Sequence, residues 1–262
     1  MSPEVLASLT RVERMHVRLV LSTVRSQTAD ALVKRVQCSG ISPTLEHLFS
    51  PGRSLVGAEN LPAFDLRESY VCVANHRTFF DLYAVASYLQ TREKMRHRIW
   101  FPVRAPFFYD NPAGMLVNAA ASAFAMYPPV FRDKRRAHLN DAVLDETIRL
   151  LRAGGSFVGL HPEGQRNKSA DSLDLLPARW GVGRVLAESQ AWVIPTWIDG
   201  LASDAGEQLR RRLRGASGLV MVFGEPYKAR ALGAGATRAE YTEVSAEALE
   251  RVRALGQSVR RG

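Results

Sequence analysis

In VCVANHRTFFDLYAV, residues 71–85, an apolar run with β-branched valines stops at Asn75-His76, and five residues after the histidine Asp81 heads a stretch with helical spacing. No polar residue alternates through the run, which predicts a strand buried on both faces. Such strands belong to parallel sheets covered by helices. In those sheets ligands bind outside the carboxyl ends of the strands, which is where His76 would lie.

The same grammar continues outward. Apolar runs predict further strands over 99–103, 123–127, 156–160, 192–198 and 219–223, beside the strand over 70–74. Helical patterns lie between and after them, over 81–90, 112–121, 139–153, 177–189, 204–214 and 238–260. The fold class expected is α/β: a mostly parallel central sheet flanked by helices on both faces. Residues 1–54 form a separate N-terminal segment in which leucines and valines share helical turns with Arg11, Arg14, Arg18 and Arg25. This pattern suits an amphipathic helix lying on an anionic membrane, and equally a helix packed on the main domain with its arginines in water. Residues 55–262 would then be the main domain.

The 262 residues carry 46% hydrophobic and 23% charged side chains, an ordinary globular composition. The net charge is +9 and almost all of it is arginine, since the lysines are only Lys34, Lys94, Lys134, Lys168 and Lys228. That balance favours an anionic partner. Cys38 and Cys72 suggest neither a disulfide framework nor a thiolate metal site. The apolar window 115–131 is interrupted by Asn118 and by Pro128-Pro129, so no transmembrane helix is expected.

Four stretches could carry chemistry. His76 with Asp81 has the elements of a general base: an imidazole, and a carboxylate to fix its tautomer. The same residues also fit a helix start with Thr78 as N-cap and Asp81 three residues on. LHPEGQRNKS, residues 160–169, presents Glu163 in a sharp turn with Gly164, followed by Arg166 and Lys168. Residues 127–136 place Arg132 after a Pro-Pro break, and VIPTWIDG, residues 193–200, puts Pro195 inside a strand-like run, a sign of an edge, a bulge or a specific turn. There is no nucleophile elbow, phosphate-binding loop, dinucleotide fingerprint or histidine metal set. No nucleic-acid module is recognisable either.

Taken in order, Asn75-His76 with Asp81, then Phe131-Arg132, then Pro162-Glu163-Gly164 with Arg166, then Val193-Ile194-Pro195 resemble the four blocks of the glycerolipid acyltransferase family. The resemblance covers roughly residues 55–225. It implies an O-acyltransferase that moves a fatty acyl chain from acyl-CoA or an acyl carrier protein to a lysophospholipid such as lysophosphatidic acid, with no acyl-enzyme, no cofactor and no metal. His76 would be the base and Asp81 its partner. Arg132 and Arg166 would grip a phosphate, and Glu163 would hold a glycerol hydroxyl or orient those arginines. Asn75, Gly164 and Pro195 would complete the substrate site, and backbone N–H groups over 75–78 would stabilise the oxyanion. Attachment would be peripheral or monotopic, at the cytoplasmic face of an anionic membrane. Two positions depart from the family's glutamate block, which usually has an aromatic where His161 stands and threonine where Gln165 stands. Acylation of glycerol 3-phosphate, a glycolipid or an amino-acid lipid, or a non-catalytic lipid-binding role, would use the same pattern.

Overall fold

The computed structural model describes residues 1, 3–215 and 218–261, the side chain of Arg261 apart. Among the described residues nine strands form: β1 Ser54–Val56, β2 Tyr70–Ala74, β3 Arg98–Trp100, β4 Val103–Arg104, β5 Pro129–Val130, β6 Ser156–Leu160, β7 Trp192–Asp199, β8 Val220–Phe223 and β9 Tyr227–Lys228. Seven make the main sheet in the order β1-β8-β7-β2-β6-β3, with β9 also on β7, while β4 and β5 pair separately. The pairs β1–β8, β2–β6, β2–β7 and β3–β6 are parallel, and β7 meets β8 and β9 antiparallel. This is the mostly parallel sheet expected.

Alternation along β2 shows why its run is uniformly apolar. Val71 and Val73 face one core, with Val158, Val193, Trp197 and the helices Leu139–Arg152, Trp180–Ser189 and Arg238–Arg261. Tyr70, Cys72 and Ala74 face the other, with Ile194, Met221, Phe223 and the helices Ser42–Phe49 and Asp81–Thr91. All five β2 residues are buried. The N-terminal helix Arg11–Arg25 contributes Val17, Val20 and Leu21 to the first core, Phe49 enters the second, and β1 joins the sheet. Arg98 reaches Asp30 at 2.6 Å and Arg136 reaches Glu13 at 2.8 Å. Val17, Val20, Leu21 and Phe49 of the N-terminal segment thus pack into the same two cores as β2.

Two expected strands differ. The run 99–103 splits at Pro102, which lacks the N–H a ladder needs, into β3 and β4. Residues 123–127 form no strand, because Ala123 and Phe124 take left-handed backbone after the helix Pro112–Ser122. Asn118 holds that turn, its side chain donating to the Met126 carbonyl and accepting from the Met126 N–H, both at 3.1 Å. Pro195 lies on neither an edge nor a bulge. β9 pairs with β7 through Trp192 and Val193 and β8 from Thr196 onward, so the proline occupies the gap between the two antiparallel partners.

Close packing on the first core depends on Gly183, where an added Cβ would stand 1.7 Å from the Tyr241 carbonyl oxygen of the last helix. Gly183→Ala is expected to push the two helices apart and cost about 1–3 kcal/mol, measured as a lower urea midpoint at unchanged slope; an unaltered midpoint would show that the helices are not in van der Waals contact there.

Candidate active site

The parallel strands β2 and β6 end side by side, and the loops that follow them carry His76 and His161. Asp81, the first residue of its helix and 1% exposed, folds back over that start. Its Oδ2 accepts from the N–H of Arg77 at 2.7 Å and of Thr78 at 2.8 Å and faces His76 Nδ1 at 3.2 Å, while Oδ1 accepts from the Thr78 hydroxyl at 2.6 Å. Only half of a capping box forms, since Thr78 Oγ1 accepts from the Phe80 N–H. Burial raises the Asp81 carboxyl above its usual value, and the donors around its charged form oppose the rise. Because a carboxylate accepts, His76 Nδ1 carries the hydrogen and Nε2 is left as the free acceptor.

His76 lines a cavity of roughly 610 Å³. Its ring is pushed down to about 4, first by burial and then by the charges of Arg166 and Arg132, so it is neutral and able to take a proton at ordinary pH. Arg104, Arg132, Arg166 and Arg179 all line this cavity, and among the described residues none of them pairs with a carboxylate. Arg132 donates to the Gly164 carbonyl at 3.1 Å, and its own ionisation is lowered by burial and then by Arg104 and Arg166. Away from the charges the wall is apolar and aromatic, with Phe79, Tyr83, Phe101, Phe107 and Phe108 on one side and Val143, Val182 and Val185 on the other. Leu82, Tyr83 and Phe101 come from one core, and Val143, Leu160, Val182 and Val185 from the other, so the cavity passes around the end of the short edge strand β3.

Of the residues read from the sequence, the structure brings His76, Asp81, Arg132, Gly164 and Arg166 to this place and gives three others different work. Glu163, 1% exposed, accepts from the His76 N–H at 2.8 Å and the Leu176 N–H at 2.9 Å. Both of its oxygens are occupied by backbone, and it neither faces the cavity nor touches an arginine there. Asn75 is wholly buried, its amide exchanging two hydrogen bonds with the Ile198 backbone at 2.7 and 2.8 Å and so extending the β2–β7 ladder by one step. Pro195 lies inside the sheet, its carbonyl accepting from the Gly224 N–H at 2.9 Å. The oxyanion expectation also changes: the N–H groups of His76, Arg77, Thr78 and Phe80 are committed to Glu163, Asp81 and Thr78.

Sequence reasoning did not reach Arg104 and Arg179. Nothing in local spacing separates them from the other arginines, although each stands within two residues of a proline beside a strand end or a helix start. His76, Asp81 and His161 put possible metal-ligand atoms within 4.8 Å of one another. They make a poor ligand set, because the Asp81 oxygens already accept three other hydrogen bonds and the two imidazoles are parallel, so their lone pairs do not converge on one ion.

Among models of known families, the one described as Acyltransferase matches residues 53–199. No curated protein matches the chain by sequence. Among solved structures, the crystal structure of the 1-acyl-sn-glycerophosphate (LPA) acyltransferase PlsC from Thermotoga maritima is similar with a TM-score of 0.55 and 16% sequence identity, over 93% of this chain and 88% of that one. At that identity the likeness concerns the fold.

Replacing Glu163 with Gln would turn an NH2 toward one of two buried N–H donors. A loss of about 1–3 kcal/mol in stability is expected, readable by calorimetry; Glu163→Gln with wild-type stability would mean that the carboxylate is dispensable to the loop.

Proposed function

The chain belongs to the Acyltransferase family, and from that premise we propose that it transfers a fatty acyl chain from acyl-CoA or an acyl carrier protein to a hydroxyl of a lysophospholipid such as lysophosphatidic acid. One observation carries the reading. A neutral imidazole, held at Nδ1 by the buried Asp81 and with Nε2 free, lines a largely apolar cavity together with four guanidiniums that have no carboxylate partners among the described residues.

In this mechanism Arg132 and Arg166 bind the acceptor's phosphate by charge-assisted hydrogen bonds. The acyl chain lies against the aromatic wall. The acceptor hydroxyl gives its proton to His76 Nε2 while its oxygen attacks the thioester carbonyl, and Asp81 stabilises the imidazolium that forms. Collapse of the tetrahedral adduct breaks the carbon–sulfur bond, and the departing thiolate takes the proton back from His76. Glu163 acts at one remove by fixing the His76 backbone, and Gly164 supports Arg132 through its carbonyl.

We place the protein on the cytoplasmic face of an anionic membrane, bound peripherally. Met15, Leu19, Leu32 and Val36 are exposed among the N-terminal arginines, which supports that attachment. Among the described residues no helix is long and apolar enough to cross a membrane.

The test is thiol release from palmitoyl-CoA with and without lysophosphatidic acid. Acceptor-dependent release should fall by about 10²–10⁴-fold in His76→Ala with the fold retained, whereas a silent lipid-binding module would release nothing in either protein. The pH profile gives a second expectation. With the free imidazole near 4, the acid limb of kcat/KM should lie near pH 4, and Arg166→Gln, which removes a depressing charge, should move that limb upward; a limb fixed at the ordinary histidine value in both proteins would remove His76 from the role of base.

A further inference from the structure

His161 stands where the sequence departs from the family's blocks, and neither the base nor the phosphate grip makes use of it. Its ring lies flat on that of His76, centroids 3.8 Å apart and planes within 8°. Its Nδ1 is 3.0 Å from the Ala74 carbonyl oxygen. A carbonyl only accepts, so Nδ1 carries the hydrogen. Burial and the neighbouring His76 push the ring down to about 3, so it stays neutral and Nε2 is a bare acceptor. Among the described residues the hydrogen bond of this ring is made at Nδ1, none is made at Nε2, and His161 lines the cavity beside His76.

Two acceptor nitrogens thus belong to parallel rings that line one cavity, and the charged side chains lining it are all donors. A single acceptor hydroxyl satisfies one of them. An aromatic ring would stack on His76 equally well, so the stack does not account for a histidine here, whereas the free Nε2 does. Parallel rings with centroids 3.8 Å apart are close enough for neighbouring hydroxyls of one ligand to reach both.

We propose that His161 Nε2 accepts a hydrogen bond from a second hydroxyl, on the carbon next to the one bearing the reacting oxygen, and thereby selects acceptors with a vicinal diol close to an anionic group. The inference rests on the acyl-transfer reading of the same cavity. A glycerol phosphate unit has this chemistry, either as free glycerol 3-phosphate or as the head group of lysophosphatidylglycerol, and on this inference both are preferred over lysophosphatidic acid, whose single free hydroxyl meets His76 alone.

The experiment is titration calorimetry of the full chain with glycerol 3-phosphate and with 3-hydroxypropyl phosphate, which lacks only the middle hydroxyl, and with lysophosphatidylglycerol in detergent micelles. The diol should bind about five- to tenfold tighter than its deoxy analogue, and His161→Phe, which keeps the ring stack, should bring that preference below about twofold. His161→Gln, with an amide oxygen in reach, should keep part of it. If only the micellar lipid binds, the diol belongs to a lipid head group, and the same loss in His161→Phe is expected there. Equal affinities in the wild type, an unchanged ratio in His161→Phe, or no binding of any of the three overturns the proposal. Palmitoyl transfer measured on the same samples separates the two readings: a diol preference without transfer from any thioester removes the acyltransferase reading, and transfer without the preference removes only the role of His161.

Discussion

The buried carboxylate of Glu163 is the point on which the site's geometry rests. One oxygen holds the His76 N–H and the other holds the Leu176 N–H, so a single side chain joins the loop after β2 to the segment that leads into the helix Trp180–Ser189. Asn167 N–H on the His76 carbonyl, His161 Nδ1 on the Ala74 carbonyl and Arg179 N–H on the Pro162 carbonyl strengthen the same seam. A loop that carries a base would otherwise keep several rotamers and backbone states open, and precise placement is what positioned catalysis requires. The sheet contributes by setting β2 and β6 parallel and in register, so that both loops leave from one level.

Asp81 works on a different scale. Its three backbone and hydroxyl donors keep the carboxylate fixed whatever the protonation of His76. The imidazole therefore meets a preset acceptor, and its tautomer follows from that acceptor alone. Around this centre the cavity wall carries aromatic rings, packed aliphatic side chains and four guanidinium arms.

The sheet and the position of His76 were legible in residues 71–85, because a strand buried on both faces leaves a uniform apolar run and a histidine that ends it has one place to go. The four ordered blocks also located Arg132, Gly164 and Arg166. The roles of Glu163, Asn75 and Pro195 were not legible, for a common reason: each acts on backbone groups of another segment, and sequence does not say which N–H or C=O lacks a partner. Position 123–127 failed for a related reason, its apolar residues being folded into a turn by Asn118, a distant side chain in spacing terms. Arg104 and Arg179 come to the cavity through the turn of the chain after β3 and before the helix Trp180–Ser189, a placement only the tertiary fold creates.

The arginine cluster has a consequence for the fold as well as for ligands. Four like charges line one cavity without carboxylate partners among the described residues, and the Arg132 charge is disfavoured first by burial and then by Arg104 and Arg166. This corner is under electrostatic pressure that the cores must contain. Dissolved ions screen such repulsion, so added salt strengthens this part of the molecule, the reverse of its effect on the exposed ion pairs elsewhere on the surface, and the protein's response to ionic strength is the sum of two opposed local tendencies.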